Sequence, residues 1–299
     1  AAGSHLPSPS IIVNGDVIYG KIQAPSTVGQ HNSGFFTVGD ASGTEGVDYR
    51  KYHVKIKANA EPIDTSNPFQ FTINTNYQGG GATSTNHFKL PLSPSSPHDI
   101  WVDWGDSSPL THLDGIVTTS ELTHTYATPG TYVVKMHGTV RYWSFELWGA
   151  DSIKMTNIHN WGGFEVTSWS GGFYNCTNLT APSANDTPTF AANSSLKNYF
   201  KNCSSSQFAS NSTNWANWNA ASGMGNVTSF EGMFRNCTDF NGNVDNFDTS
   251  GATSLKYMFK DCSSFNQNLN SSSSAWDVSN VEDFTGMFED CAAFNGYMV

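Results

Sequence analysis

Charge is what this chain has least of. Lys, Arg, Asp and Glu make up 13% of its 299 residues, about half the usual share. Ser, Thr, Asn and Gly take their place, so the surface is polar rather than ionic. No basic run occurs and the formal net charge is -11, which argues against a nucleic-acid footprint. No apolar run reaches the length of a membrane span. Cysteine is sparse and odd in number, five in all, so the thiols cannot all pair with one another. Also missing are a phosphate loop, a two-His metal spacing and a nucleophile beside its base. The expectation is a protein without enzymatic activity.

Aromatic residues, at 13%, rule out a disordered polar chain. Three segments follow from the patterning. Residues 1–64 carry a flexible leader and alternating stretches such as "IIVNGDVIYGKIQ" and "YRKYHVKIKANA", which predict a small β unit with Tyr52, Val54 and Ile56 on one face. The stretch "EPIDTSNP" reads as a linker. Residues 65–150 hold the strand candidates "PFQFTINT" and "IWVDW", then "HTYATPGTYVVKMHG" with its Pro-Gly turn.

That second segment resembles the PKD-type immunoglobulin-like sandwich. The resemblance rests on "VDWGDSS" and on the His-Thr-Tyr…Pro-Gly-x-Tyr-x-Val pair. The sequence departs from the family pattern at Ser107, where the family usually has Gly. In this reading Asp103, Trp104, Gly105, Asp106, His124, Tyr126, Gly130 and Tyr132 form a structural turn and its packing. A Ca²⁺ ion on Asp99, Asp103 and Asp106 is the sharper alternative, although the spacing lacks the ligand density of a calcium loop. No other cofactor is expected.

Residues 151–299 hold a repeat. "SFEGMFRNCTDFNG", "SLKYMFKDCSSFNQ" and "DFTGMFEDCAAFNG" share every anchor, and two degenerate copies precede them. Cys176, Cys203, Cys237, Cys262 and Cys291 recur at drifting intervals of 25 to 34 residues, as in a stack of turns with variable loops. In the copy anchored on Val227, apolar residues fall at Val227, Phe230, Phe234, Cys237 and Phe240. Those steps of three and four predict one face of a short helix. Ser/Thr residues would cap it, and the Trp276–Asp277–Val278 segment would form a short strand. The expected fold class is therefore multidomain: an N-terminal β unit, a β-sandwich, then an α/β solenoid of strand plus helix. Its core would be Phe173, Cys176, Phe200, Cys203, Phe234, Cys237, Phe240, Phe259, Cys262, Phe265, Phe288, Cys291 and Phe294. The thiols are expected to pack as small hydrophobes, with one disulfide between stacked turns left open.

The pattern is similar to BspA-type leucine-rich repeat surface proteins, over about residues 160–299. That resemblance implies display outside cells, on a cell or virion surface, and a non-enzymatic binding or adhesion role toward a protein or glycan. The alternative is a structural subunit of a virion or surface filament, docked through the N-terminal β unit. The last repeat stops at "FNGYMV" without a following strand, which predicts continuation of the chain or cover by a neighbouring subunit, hence a homo-oligomer or larger assembly. No nucleic-acid partner and no membrane span are expected. Trp215 and Trp218, in the polar stretch "NSTNWANWNA", are the candidate sugar contacts, weighed against Trp218 as a packed anchor. Sequons at Asn175, Asn202, Asn226 and Asn236 bear glycans only in a eukaryotic secretory pathway.

Overall fold

The structure, a computed structural model, describes residues 66–206, 208, 215, 218, 223–245, 247–269 and 276–296, with four short strands nearer the N-terminus. The chain divides into two compact units, residues 1–63 and 64–299. In the first, β1 (Ile11–Val13) pairs antiparallel with β2 (Asp16–Ile18), and β3 (Ser33–Gly34) with β4 (Val54–Lys55). Of the shared face expected there, Tyr52 and Ile56 lie outside the described residues.

The second unit begins with a five-stranded antiparallel sheet. Its strands are β5 (Phe69–Asn74), β7 (Pro97–Asp103), β8 (Thr111–Ile116), β10 (Thr131–His137) and β11 (Met155–Asn160), in the order β11-β5-β10-β7-β8. Alternation sets the faces: Phe69, Phe71 and Ile73 of β5 are buried, as are Ile100 and Val102 of β7. A two-stranded pair, β6 (His87–Lys89) with β9 (Thr123–Thr125), packs on that buried face, with Phe88 6.1 Å from Phe71. β11 comes from the segment expected to open the repeats. It pairs with β5 instead, so the sheet and the repeats share one compact unit.

A buried ion pair lies just before β11. Asp151 and Lys154 are both wholly inaccessible, with Lys154 Nζ 3.1 Å from Asp151 Oδ1. Nζ also donates to the carbonyls of Thr83, Ser84 and His87, while Asp151 accepts the Thr83 and Lys89 N–H groups. Burying two charges is costly unless every donor and acceptor finds a partner; here the cage supplies them. Burial pushes the Lys154 ammonium below its ordinary range, and Asp151 opposes the shift. The cage ties the β5–β6 connection to the start of the repeats.

From about residue 161 the chain winds in coils that stack by parallel pairing. β12 (Glu165–Val166) pairs with β13 (Thr189–Phe190) and β14 (Ser194–Ser195) with β15 (Val227–Ser229). Single bridges continue the last column from Ser229 to Ser254 to Asp283. Among the described residues the cysteine-bearing ribbons that follow these strands contain no helix, and helical backbone in the coils is confined to Trp215, Trp218 and the single turn Met224–Asn226, which corrects the expected α/β solenoid of strand plus helix. The apolar spacing is met by tight turns. In the third coil Met233 N–H bonds Phe230 O, Arg235 bonds Gly232 O and Cys237 bonds Phe234 O, each three residues back. The residues five and one before each cysteine have positive φ: Gly171 and Asn175, Asn198 and Asn202, Gly232 and Asn236, Tyr257 and Asp261, Gly286 and Asp290. A left-handed residue every fourth position stops an α-helix from propagating. Gly, Asn and Asp are the types that tolerate it at least cost.

The alternate N–H groups freed by this ribbon bond the next coil. Asn198, Phe200 and Asn202 donate to Glu231, Met233 and Arg235 at 2.8 to 2.9 Å, and the same bonds link the third coil to the fourth and the fourth to the fifth. The Ser residues expected to cap helices serve turns instead: Ser195, Ser229 and Ser254 each accept the N–H two residues on. Trp276–Val278 forms no strand; Trp276 donates its indole N–H to Val244 O, and Asp277 caps a turn at Ser279.

Side chains stack in register with the coils. Phe173, Phe200, Phe234, Phe259 and Phe288 form one file, with near-parallel rings 5.5 to 5.9 Å apart. Phe240, Phe265 and Phe294 form a second, each about one ring offset from the first. Burial of each ring contributes roughly 1.5–3 kcal/mol, and offset stacking adds roughly 0.5–1.5. The cysteines make a third file, with all five thiols buried and free. Cys203, Cys237, Cys262 and Cys291 donate S–H to the carbonyls of Phe173, Phe200, Phe234 and Phe259 in the preceding coil. Burial pushes these thiols upward, Cys291 to about 11, so they are packing groups with a weak donor, not nucleophiles.

Candidate functional site

Trp215 and Trp218 do not reach solvent. Both are buried, Trp215 among Phe200, Phe208, Phe234 and Phe240, and Trp218 among Trp161, Phe190 and Phe200. The aromatic pair expected to contact a sugar is part of the coil core. The sequons are occupied as well. Asn202 Nδ2 donates to Asn175 Oδ1 at 2.5 Å, Asn236 Nδ2 to Asn202 Oδ1 at 2.7 Å, and Asn226 Nδ2 to Phe190 O. The nitrogens a glycan would need at Asn202, Asn226 and Asn236 are spent in inter-coil bonds.

The turn after β7 is a packing device. Gly105 (φ 77) sits where a Cβ would meet Val133 O at 2.3 Å, and its N–H bonds Asp103 Oδ1. Ser107 takes positive φ, 67°, where the resembled pattern has Gly. Asp106 accepts the Ser108 N–H and lies 2.8 Å from His124 Nε2. Burial acts to raise the Asp106 carboxyl, but the Ser108 and His124 bonds outweigh it and hold it at about 2. His124 stacks on Trp104 at 4.6 Å, Tyr126 donates to Trp104 O, and Tyr126 stacks on Tyr132 at 3.9 Å. Gly130 O accepts the Thr75 N–H, and the Gly130 N–H donates to the Thr75 hydroxyl.

The three carboxylates considered for Ca²⁺ are not brought together. Asp103 faces Lys135 at 3.5 Å and Asp106 holds His124. Asp99 instead joins His112 and Asp114, three groups whose ligand atoms lie within 4.8 Å of one another. Register explains the grouping: Asp99 is directly opposite Asp114 and Trp101 directly opposite His112 on β7 and β8. Trp101 stacks flat on the imidazole at 4.0 Å. One nitrogen beside two carboxylates is a donor set suited to Zn²⁺ or Mn²⁺ rather than to Ca²⁺.

The exposed chemistry of the repeats lies on the ribbon between the serine and cysteine files. Between residues 155 and 299 the only Lys and Arg residues are Lys197, Lys201, Arg235, Lys256 and Lys260. All five stand on this ribbon, two or six residues before a cysteine. Aromatic rings interleave with them. Lys201 lies 5.4 Å from the Tyr174 ring; Arg235, Lys256 and Lys260 surround Tyr257 at 5.2 to 5.5 Å. Lys197 pairs with Glu231 at 3.0 Å, and Lys260 pairs with Glu289, which raises its ammonium above the ordinary range. Among the described residues neither Lys201 nor Arg235 has a carboxylate within ion-pair distance.

At the first-coil end of the ribbon, Trp148 and Trp169 pack edge to face at 4.9 Å. Trp169 is 37% exposed and neighbouring Leu147 48%. Seven residues before the next three cysteines stand Leu196, Phe230 and Leu255, all buried; the equivalent residues of the first and fifth coils, Trp169 and Phe284, are both partly exposed. The sequence pattern places Trp169 in the core, so only the fold reveals it. Among the described residues no helix is long and apolar enough to cross a membrane. No curated protein and no solved structure matches the chain. The coil stack is similar to a family described as "Mycoplasma protein of unknown function, DUF285", whose model matches residues 194–298.

Proposed function

We propose that the chain is a non-enzymatic binding protein displayed outside the cell, and that its ribbon contacts glycans through the Trp148–Trp169 platform. The partly exposed Trp pair carries this reading. Two indoles held edge to face beside Leu147 form a rigid apolar surface with polar N–H edges, the chemistry that stacks on a sugar ring. The resemblance to BspA-type surface proteins supports display, and Lys201 and Arg235 with Tyr174 and Tyr257 supply polar contacts on the same ribbon. A glycan array probed with the chain and with Trp148→Ala/Trp169→Ala tests it: loss of the bound set is expected, and an unchanged profile overturns the platform.

A second reading, a subunit of a virion or surface filament, is favoured by the fifth coil. Among the described residues the N–H groups of Gly286, Phe288 and Asp290 bond no carbonyl, whereas their counterparts in earlier coils all do. Phe284 beside them is 40% exposed. The row offers donors only, so two such edges do not satisfy each other; a further coil or a partner would have to present carbonyls. Sedimentation of the chain at rising concentration, alone and mixed with its neighbouring gene products, would show the association this reading requires.

A further inference from the structure

We propose that Lys201 and Arg235 form an anion subsite, and that the glycan taken by the ribbon is a carboxylate-bearing polysaccharide. The proposal rests on the binding reading above and names the ligand class. Three observations carry it. The two residues stand at the same place in successive coils, two residues before Cys203 and Cys237, so their backbone positions are about one coil spacing apart, roughly 4.8 Å. Their neighbours Lys197, Lys256 and Lys260 have carboxylates within 4.0 Å, while these two have none among the described residues. Arg235 Nε is buried without a hydrogen-bond partner, and a buried donor without an acceptor is a cost the native contacts leave uncorrected.

A carboxylate answers all three. Swung off Tyr257, the guanidinium can take it side-on through Nε and one terminal nitrogen, with Lys201 completing the pair. Tyr174 and Tyr257 flank the cations and give sugar faces a surface to lie on. Dense polyanions fit less well. Glu231, Asp261, Glu289 and Asp290 share the ribbon and the chain carries a net charge of -11, so a duplex or heavily sulfated chain meets repulsion on both sides of the subsite. A polymer with one carboxylate per sugar places its charge sparsely enough to avoid them.

The test is biolayer interferometry of the full chain against polygalacturonate, dextran, dextran sulfate and duplex DNA, at two salt concentrations. Polygalacturonate is expected to bind best. Lys201→Gln/Arg235→Gln is expected to lower that affinity by about tenfold or more, as for loss of a charged hydrogen bond, while Lys197→Gln, in an existing ion pair, leaves it unchanged. Thermal melting of each variant separates loss of binding from loss of fold. Dextran binding as well as polygalacturonate, preference for dextran sulfate or DNA, no binding to any probe, or a double variant that melts and binds like the parent would each overturn the subsite. If Trp148→Ala/Trp169→Ala keeps polygalacturonate binding while Lys201→Gln/Arg235→Gln loses it, the platform fails and the subsite stands. The converse result removes the subsite alone.

Discussion

The sheet of residues 69–160 and the coils that follow it solve the same problem by opposite means. In the sheet, backbone pairing is antiparallel and side chains alternate, so each strand announces its buried face: Phe69, Phe71 and Ile73 in, Gln70, Thr72 and Asn74 partly out. In the coils the chain bends too often for alternation. Order comes from files of identical residues, phenylalanine on phenylalanine and asparagine on asparagine, held by one row of parallel bonds per coil. The lesson is that a side-chain period does not name a backbone. Steps of three and four suit a helix and suit equally a ribbon of turns in which every fourth residue is left-handed.

The largest expected effect lies where the two regions meet. Lys154→Met leaves Asp151 buried without its counter-charge and is expected to cost about 3–5 kcal/mol, enough to destabilise sheet and coils together. Asp151→Leu/Lys154→Met, which removes both charges, should recover most of it. Urea denaturation followed by tryptophan fluorescence would measure both. If the single variant melts the coils and spares the sheet, the two regions are not one cooperative unit and the cage is not their common anchor.

A smaller effect distinguishes the regions by pH. The folded Asp106 carboxyl is held near 2, below its ordinary value of 3.8, so its contribution is fully present above about pH 4. It is lost as pH falls through about 2, because the unfolded chain then binds the proton more readily. The contribution is about 1–2 kcal/mol after allowance for its partial exposure. Asp106→Asn should flatten the stability profile between pH 4 and 2. The coil thiols titrate far above that range and contribute no slope there. A profile identical to that of the parent would mean that the Ser108 and His124 bonds do not persist in solution.

How much of this was legible follows from which signals are local. The strands around Phe71, Val102 and Val134, the aromatic packing beside Asp106 and the phenylalanine and cysteine files can be read from residue type and spacing. The helix expectation failed because it used the apolar residues alone. The Gly, Asn and Asp residues one and five before the cysteines, with Tyr257 the one exception, carried the contrary signal. Asp99, His112 and Asp114 needed the strand register to be seen as a group. Trp215 is buried and Trp169 partly exposed against Trp148, a difference that no pattern shows.

The smallest expected effect compares left-handed residues in the two regions. Ser107 in the sheet turn and Tyr257 in the fourth coil both have positive φ, 67° and 54°, a conformation that costs a non-glycine residue roughly 1–2 kcal/mol. Glycine removes that strain but adds roughly 0.5–1 kcal/mol of unfolded-state entropy. Ser107→Gly should therefore gain about 0.5–1 kcal/mol, a rise of about 1–3 °C in Tm. Tyr257→Gly relieves the same strain but loses a ring that meets Arg235, Lys256 and Lys260 and lies where a Cβ on Gly286 would be 2.6 Å away. Each cation contact is worth about 0.5–1 kcal/mol at an exposed site, so the balance turns against glycine and Tm should fall. Opposite signs from one substitution type at one backbone conformation would mean that the sheet turn tolerates its strain while the coil uses the strained residue to hold its cations. Equal signs would mean that the Tyr257 ring contributes nothing to the ribbon beyond its backbone.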